Sequence, residues 1–208
     1  MSARIILATG NSGKVREIQA VLGEYGINVQ PQSDFGVPEA DETGLSFVEN
    51  AIIKARNACE HTGLPAIADD SGIEVDFLNG QPGIYSSRFA GEAGNDQANN
   101  EKLLHALAGQ PESRRTARFQ CVIVYMRHAS DPTPIICQGT WEGQIARSLS
   151  GNNGFGYDPL FLVPSHHCTA AELDASTKNS ISHRGQAISK LASYFQMQQD
   201  KETHNEKG

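Results

Sequence analysis

The sequence predicts an α/β protein built on a mixed β-sheet, and two patterns predict it. Along the first half of the chain, short apolar runs alternate with helical periodicities, the pattern of strand-then-helix units. Further on, an almost wholly apolar run at residues 119–126 is answered across a loop by residues 135–140 and 141–146, which predicts antiparallel pairing. The length of 208 residues, against a prior of roughly 150 per domain, predicts one generous domain or two lobes around one cleft. Hydrophobic residues make up 38% and charged residues 20%, enough apolar material for a core and too little charge for intrinsic disorder.

Residues 4–8 read as a buried strand, residues 9–13 as a Gly-rich turn, and Lys14 onward as a helix with Val15, Ile18 and Leu22 on one face. Ser46 and Glu49 form a capping box, after which Phe47, Ala51, Ala55 and Ala58 recur at helical spacing until Gly63 and Pro65 end the helix. The apolar run 66–68 delivers Asp69, Asp70, Ser71 and Gly72 at its C-terminal end, and Ile73, Val75 and Phe77 then alternate as a strand. A turn-rich stretch with Gly80, Pro82 and Gly83 leads to a helix from about Asp96, whose Leu103, Leu104 and Leu107 give it a packing role. A second Gly cluster at residues 151–159 precedes a buried strand at 160–163, and a last helix starts after Ser182 with Ile188, Leu191 and Phe195 inward. Residues 1–196 read as a single domain. Residues 197–208 are polar, lack an apolar period, and read as a disordered tail.

No stretch approaches the ~18 apolar residues of a membrane helix, and the first residues show no apolar region of signal-peptide length or small-residue cleavage site. A soluble, cytoplasmic protein without a membrane partner is expected. Cys59, Cys121, Cys137 and Cys168 show no CxxC pair, so reduced thiols are expected, and the His166-His167-Cys168 segment reads as a surface loop without zinc-site spacing. Lys plus Arg number 17 against 24 Asp plus Glu, a net charge of −7, which argues against a nucleic-acid partner. An anionic ligand therefore needs a local basic site.

Three constellations could carry chemistry. Thr9, Gly10, Asn11, Ser12, Gly13 and Lys14 lie between a strand and a helix, where backbone N–H groups and a lysine suit phosphate. The segment is not a P-loop: the first glycine of GxxxxGK[ST] falls on Ala8, and Val15 follows the lysine. Asp41-Glu42 and Asp69-Asp70 supply carboxylates of the kind that hold Mg²⁺ or orient an attacking water. Phe155, Gly156, Tyr157 and Asp158, with Lys178, His183 and Arg184, offer a ring to stack on a base and groups that can distinguish a 6-oxo purine from adenine. For Phe155 and Tyr157 the plain alternative is core packing, and for His183-Arg184 the exposed first turn of a helix.

The segments LATGNSGKVREI, EADETGLSFVENAIIKA, AIADDSGIEVD, GQPGIYSSRFAG, ARFQCVIVY, GFGYDPLF and KNSISHRGQA run in order through residues 6–187. In them the chain resembles the inosine/xanthosine triphosphate pyrophosphatases (dITP/XTP pyrophosphatases), which clear non-standard purine nucleotides. The resemblance implies an elongated α/β fold with two lobes around a central substrate cleft, a Mg²⁺-dependent enzyme and a homodimer. It implies that residues 9–14 hold the triphosphate, that Asp70 activates water and binds metal, and that Asp41 and Glu42 complete the metal site. Ser71 is implied to touch the substrate, Lys54 and Lys178 to neutralise phosphate, and residues 155–158 with His183 and Arg184 to hold the base. The implied reaction releases pyrophosphate from ITP, dITP or XTP and leaves the nucleoside monophosphate. The competing readings are a Maf-like pyrophosphatase of modified pyrimidine nucleotides, against which the SHR and GFGYD segments argue, and a nucleotide-binding module without catalysis.

Overall fold

The computed structural model describes residues 4–205, with side chains through residue 201. Its seven strands are β1 (Ile5–Leu7), β2 (Val29–Pro31), β3 (Ala66–Val75), β4 (Thr116–Met126), β5 (Ile135–Ile145), β6 (Phe161–Val163) and β7 (Cys168–Thr169). The helices are α1 (Ser12–Glu24), α2 (Phe47–Thr62), α3 (Asp96–Ala106), α4 (Ala175–Ile181) and α5 (His183–Asn205). The strands form one sheet in the order β2-β1-β3-β4-β5-β6-β7. Strand β1 pairs in parallel with β2 (Ile5 opposite Val29) and with β3 (Leu7 opposite Ile67), whereas β6 pairs antiparallel with β5 and β7. The sheet is mixed, as the patterning predicts.

The chain divides into two compact units, one of Met1–Asp69, Val122–Gln138 and Arg184–Gly208, the other of Asp70–Cys121 and Gly139–His183. In the first, Ala51, Ala55 and Ala58 of α2 meet Ala66 and Ala68 of β3, with Ile6, Val122, Val124 and Met126 completing the core. Small side chains on both surfaces let helix and sheet approach closely. In the second, Ile73, Val75, Leu103, Leu107, Phe119, Trp141 and Phe161 are buried together, with Phe119 and Phe161 ring centroids 4.6 Å apart.

The structure departs from the sequence reading in four places. Asp69 and Asp70 lie in the middle of the ten-residue β3, not at a strand end, and Phe77 lies in the 3₁₀ turn Asp76–Leu78 beyond it. The short elements β2 and α4 carry too few residues for a period to show. Cys168 opens edge strand β7, where a loop was expected. Helix α5 is continuous to Asn205 because no Gly or Pro interrupts residues 186–205, so the expected tail at 197–205 is helical; residues 206–208 lie outside the described residues. No helix among the described residues is long and apolar enough to cross a membrane.

One buried arginine ties the second unit together. Arg115 is 2% exposed, and its guanidinium donates to Ile145 O at 2.7 Å, Leu107 O at 2.9 Å and Ala146 O at 2.7 Å. It thereby satisfies carbonyls beyond α3 and at the end of β5. Replacing it by Met keeps the volume and removes a buried donor from three carbonyls, of which Leu107 O still accepts from Gln110 N–H at 3.2 Å; each acceptor left unsatisfied costs about 1–3 kcal/mol. Arg115→Met is expected to lower Tm by on the order of 10 °C for a chain of this size, measured by calorimetry; an unchanged Tm contradicts this account.

Candidate active site

Strand β1 ends at Leu7 and α1 begins at Ser12, so residues 8–11 form the turn between them. Asn11 caps the helix: its side-chain oxygen accepts from Gly13 N–H at 2.9 Å and Lys14 N–H at 3.1 Å, while Thr9 Oγ1 accepts from Asn11 N–H at 3.2 Å. The Gly13 and Lys14 N–H groups that the sequence reading left open for phosphate are thus engaged by Asn11. Gly10 lies close to Glu39, whose Oε1 a Cβ at this position would displace.

That approach identifies a carboxylate the sequence reading missed. Glu39 is exposed, accepts from the buried Gln32 Nε2 at 3.0 Å, and is held against the Gly-rich turn. Asp41, by contrast, is exposed, and Glu42 Oε1 takes the Lys54 ammonium at 2.8 Å. The sequence pointed to this acidic stretch but not to the member that meets the turn, because that contact is long-range. Lys54 is 8% exposed on α2, and its charge also acts on Asp69.

Asp69 has no exposed surface, and its Oδ2 lies 3.1 Å from Lys14 Nζ and 3.3 Å from Arg184 Nη2. Arg184, 3% exposed at the start of α5, pairs through Nη1 with Glu17 of α1. Burial alone pushes the Asp69 carboxyl up, but Lys14, Arg184 and Lys54 outweigh it and hold the group well below the usual carboxylate range. Arg184 is therefore not the exposed first-turn residue of the plain alternative. Asp70, 6% exposed, and the half-buried Ser71 follow on β3.

Of the residues expected to hold the base, Phe155, Gly156, Tyr157, Asp158 and His183 lie in the second unit, and Arg184 lies in the first. Asp158 Oδ2 accepts from Lys178 Nζ at 2.6 Å and from Phe155 N–H at 2.9 Å, and Lys178 lies 5.2 Å from the Phe155 ring centroid. Gly154 must be glycine, since its φ is +75° and a Cβ would strike the Asp158 carboxylate. The Lys178 charge is matched by Asp158, not left open for phosphate. Tyr157 belongs to the core: its hydroxyl donates to Ser86 O at 2.8 Å, and burial, then the Asp96 charge, push its pKa up. Phe155 is half-buried. His183, 4% exposed, lies face to face with Phe119 at 4.6 Å and 11°.

The first unit thus carries a lysine in the first turn of α1, just past a Gly-rich strand-to-helix turn, and the second an aromatic loop with a buried ion pair, on an α/β fold. The comparisons make the class specific: residues 5–194 match the model of the Ham1 family, and the chain belongs to that family. The dITP/XTP pyrophosphatase of Thioalkalivibrio sulfidiphilus (strain HL-EbGR7) is 64% identical over 185 residues, 89% of this chain and 94% of the relative. The dITP/XTP pyrophosphatase of Vibrio parahaemolyticus is 60% identical over 188 residues, 90% of this chain and 94% of that one. A HAM1 protein structure from Coxiella burnetii superposes with a TM-score of 0.86 at 52% identity, covering 94% of this chain and 99% of that chain.

The Asp69 cluster makes stability pH-dependent with a definite sign. Because the folded-state pKa is depressed, the contribution is present above the ordinary carboxylate range and is lost as pH falls below about 4. Asp69→Asn leaves two buried cations short of charge, at a cost of about 3–5 kcal/mol. Thermal melts are expected to show a Tm about 10 °C below the unsubstituted protein at pH 7, a gap that narrows from pH 4 to pH 2. A constant gap contradicts the assignment.

Proposed function

We propose that this protein is a nucleoside-triphosphate pyrophosphohydrolase that converts non-standard purine nucleotides (ITP, dITP, XTP) to the monophosphate and pyrophosphate. The observation that carries this reading is the match, across nine-tenths of the chain, to relatives named dITP/XTP pyrophosphatase. The lysine on the Gly-rich turn and the Phe155–Asp158–Lys178 set supply the chemistry such a substrate needs.

In this reading residues 9–14 and Lys54 hold the triphosphate. Asp70 takes a proton from the water that attacks the α-phosphorus, and the bond from that phosphorus to the bridging oxygen breaks. Lys14 meets the charge gathering on departing pyrophosphate, as preorganised donors do in phosphoryl chemistry. Ser71 touches the substrate beside Asp70. Phe155 stacks on the base, while His183 and Arg184 face the 6-oxo group, with Arg184 oriented by Asp69 and Glu17. Adenine presents an amino group there, and a buried donor left facing it costs about 1–3 kcal/mol.

The metal in this reading is Mg²⁺. Among the described residues no three His, Cys, Asp or Glu side chains gather to hold an ion; Mg²⁺ takes one or two carboxylates and completes its shell with substrate phosphate and water. Asp70 and the acidic stretch of Glu39, Asp41 and Glu42 offer hard oxygens, with Glu39 already against the turn. When bound, the ion neutralises phosphate charge and polarises the phosphoryl oxygens. We assign the protein a homodimeric state, tested by sedimentation equilibrium, and a cytoplasmic location, where nucleotide pools are cleansed.

Incubation with ITP and Mg²⁺ is expected to yield IMP and pyrophosphate, resolved by ion-exchange chromatography; IDP with orthophosphate sinks the proposal, and preferential hydrolysis of dTTP or UTP favours the pyrimidine reading. Asp70→Asn, folded by its melting curve, is expected to lose about 10²- to 10⁴-fold in kcat, the range for a general base. Near-normal turnover would remove Asp70 from that role.

A further inference from the structure

Helix α3 carries two polar side chains that its packing role does not explain. Asp96 and Asn100 stand one turn apart at its N-terminal end and reach the two backbone groups of a single residue in the Gly-rich loop. Gly156 N–H donates to Asp96 Oδ2 at 2.7 Å, and Asn100 Nδ2 donates to Gly156 O at 2.8 Å. The first bond fixes the peptide plane joining Phe155 to Gly156, and the second fixes the plane joining Gly156 to Tyr157.

Gly156 is where such fixing matters most. Its φ is +62°, and a Cβ would meet nothing within 4 Å, so glycine is present for its backbone conformation and not for lack of room. A glycine in open space is the most permissive pivot a loop can have. On one side of the pivot is Phe155, whose N–H is held by Asp158; on the other is Tyr157, anchored to Ser86 O. Without Asp96 and Asn100, the segment between those anchors gains the freedom of its least restrained residue.

Asn100 pays an energetic penalty for this role. It is 4% exposed, and its amide nitrogen also donates to Asp96 O at 2.8 Å, which orients the amide and leaves Oδ1 buried with no partner among the described residues. A leucine at this position would complete the apolar face of Leu103 and Leu107 without that cost, and retained unsatisfied groups call for another role.

We propose that Asp96 and Asn100 are positioning residues: they lock the Gly156 pivot and thereby set the angle of Phe155 on the base, and with it the selectivity among purines. This rests on the reading that residues 155–158 hold the base. The test measures kcat and KM for ITP and GTP with the full chain and Mg²⁺, comparing Asn100→Ala, Asp96→Ala, Asp96→Asn and Phe155→Ala. Either alanine variant at the latch is expected to raise KM for ITP on the order of tenfold, the effect of one lost hydrogen bond, with kcat within about twofold and a lower ITP:GTP ratio of kcat/KM. Asp96→Asn keeps an oxygen facing Gly156 N–H and is expected to recover most of the loss. Should Asn100→Ala fail to fold, the solvent-facing Asp96 pair carries the comparison. A lowered Tm with KM and the ratio unchanged in both latch alanine variants, while Phe155→Ala shifts them, overturns the latch and leaves the base loop standing. If Phe155→Ala also leaves the ratio unchanged, the base-loop reading falls and the latch falls with it.

Discussion

A carboxylate without exposed surface stays ionised only where cations reach it, and Asp69 meets Lys14 at 3.1 Å and Arg184 at 3.3 Å. Lys14 and Glu17 lie three residues apart, on one face of α1, and Glu17 closes on the far side of Arg184. Four charges of alternating sign thus join the start of α1, the middle of β3 and the start of α5, with no net charge. The lysine of the Gly-rich turn is held by its carboxylate before any ligand arrives. Removing one member leaves the others as buried uncompensated charges, so the group behaves as a unit.

The same constraint separates residues that are neighbours in sequence. Side chains alternate between the faces of a strand, so Asp69 and Asp70 cannot share one role: while Asp69 is committed to Lys14 and Arg184, Asp70 faces the other side of β3. At the start of α5, His183 stacks on Phe119 while Arg184 turns to Asp69 and Glu17. Each adjacent pair feeds two different sets of partners. A sequence motif of two adjacent polar residues therefore marks a place where two environments meet.

What was legible in the sequence is what short-range chemistry dictates. The Ser46 cap is formed, with Ser46 Oγ accepting from Glu49 N–H at 3.4 Å and Glu49 Oε2 reaching back to Ser46 Oγ at 2.7 Å and Leu45 N–H at 2.9 Å, because cap and helix are three residues apart. The alanine face of α2, the antiparallel β-core and the Phe155–Asp158 loop were visible for the same reason. Glu39 against Gly10, Arg115 on three carbonyls and the Asp96–Asn100 grip on Gly156 were not, since each joins positions whose pairing appears only once the sheet is assembled. The division of roles within Asp69-Asp70 required knowing that β3 runs unbroken through both, where the short apolar run 66–68 suggested a strand end. Lys178 and Asp158 were both legible as site residues, but the ion pair between them, twenty residues apart, was not.

The charge balance has a physical consequence for what such a protein can hold. Lys14, Lys54, Lys178 and Arg184 are each matched by a carboxylate, namely Asp69, Glu42, Asp158, and Asp69 with Glu17. A polyanion approaching these cations meets their counter-ions too, so its phosphate charge must be offset by something it brings. A nucleic-acid backbone, relying on release of condensed counterions at a basic face, finds no such face in these four. A ligand that brings a divalent cation would be different, because hard carboxylate oxygens suit such an ion. An overall charge of −7 does not oppose such a ligand, because carboxylates that repel a bare polyanion attract its metal complex.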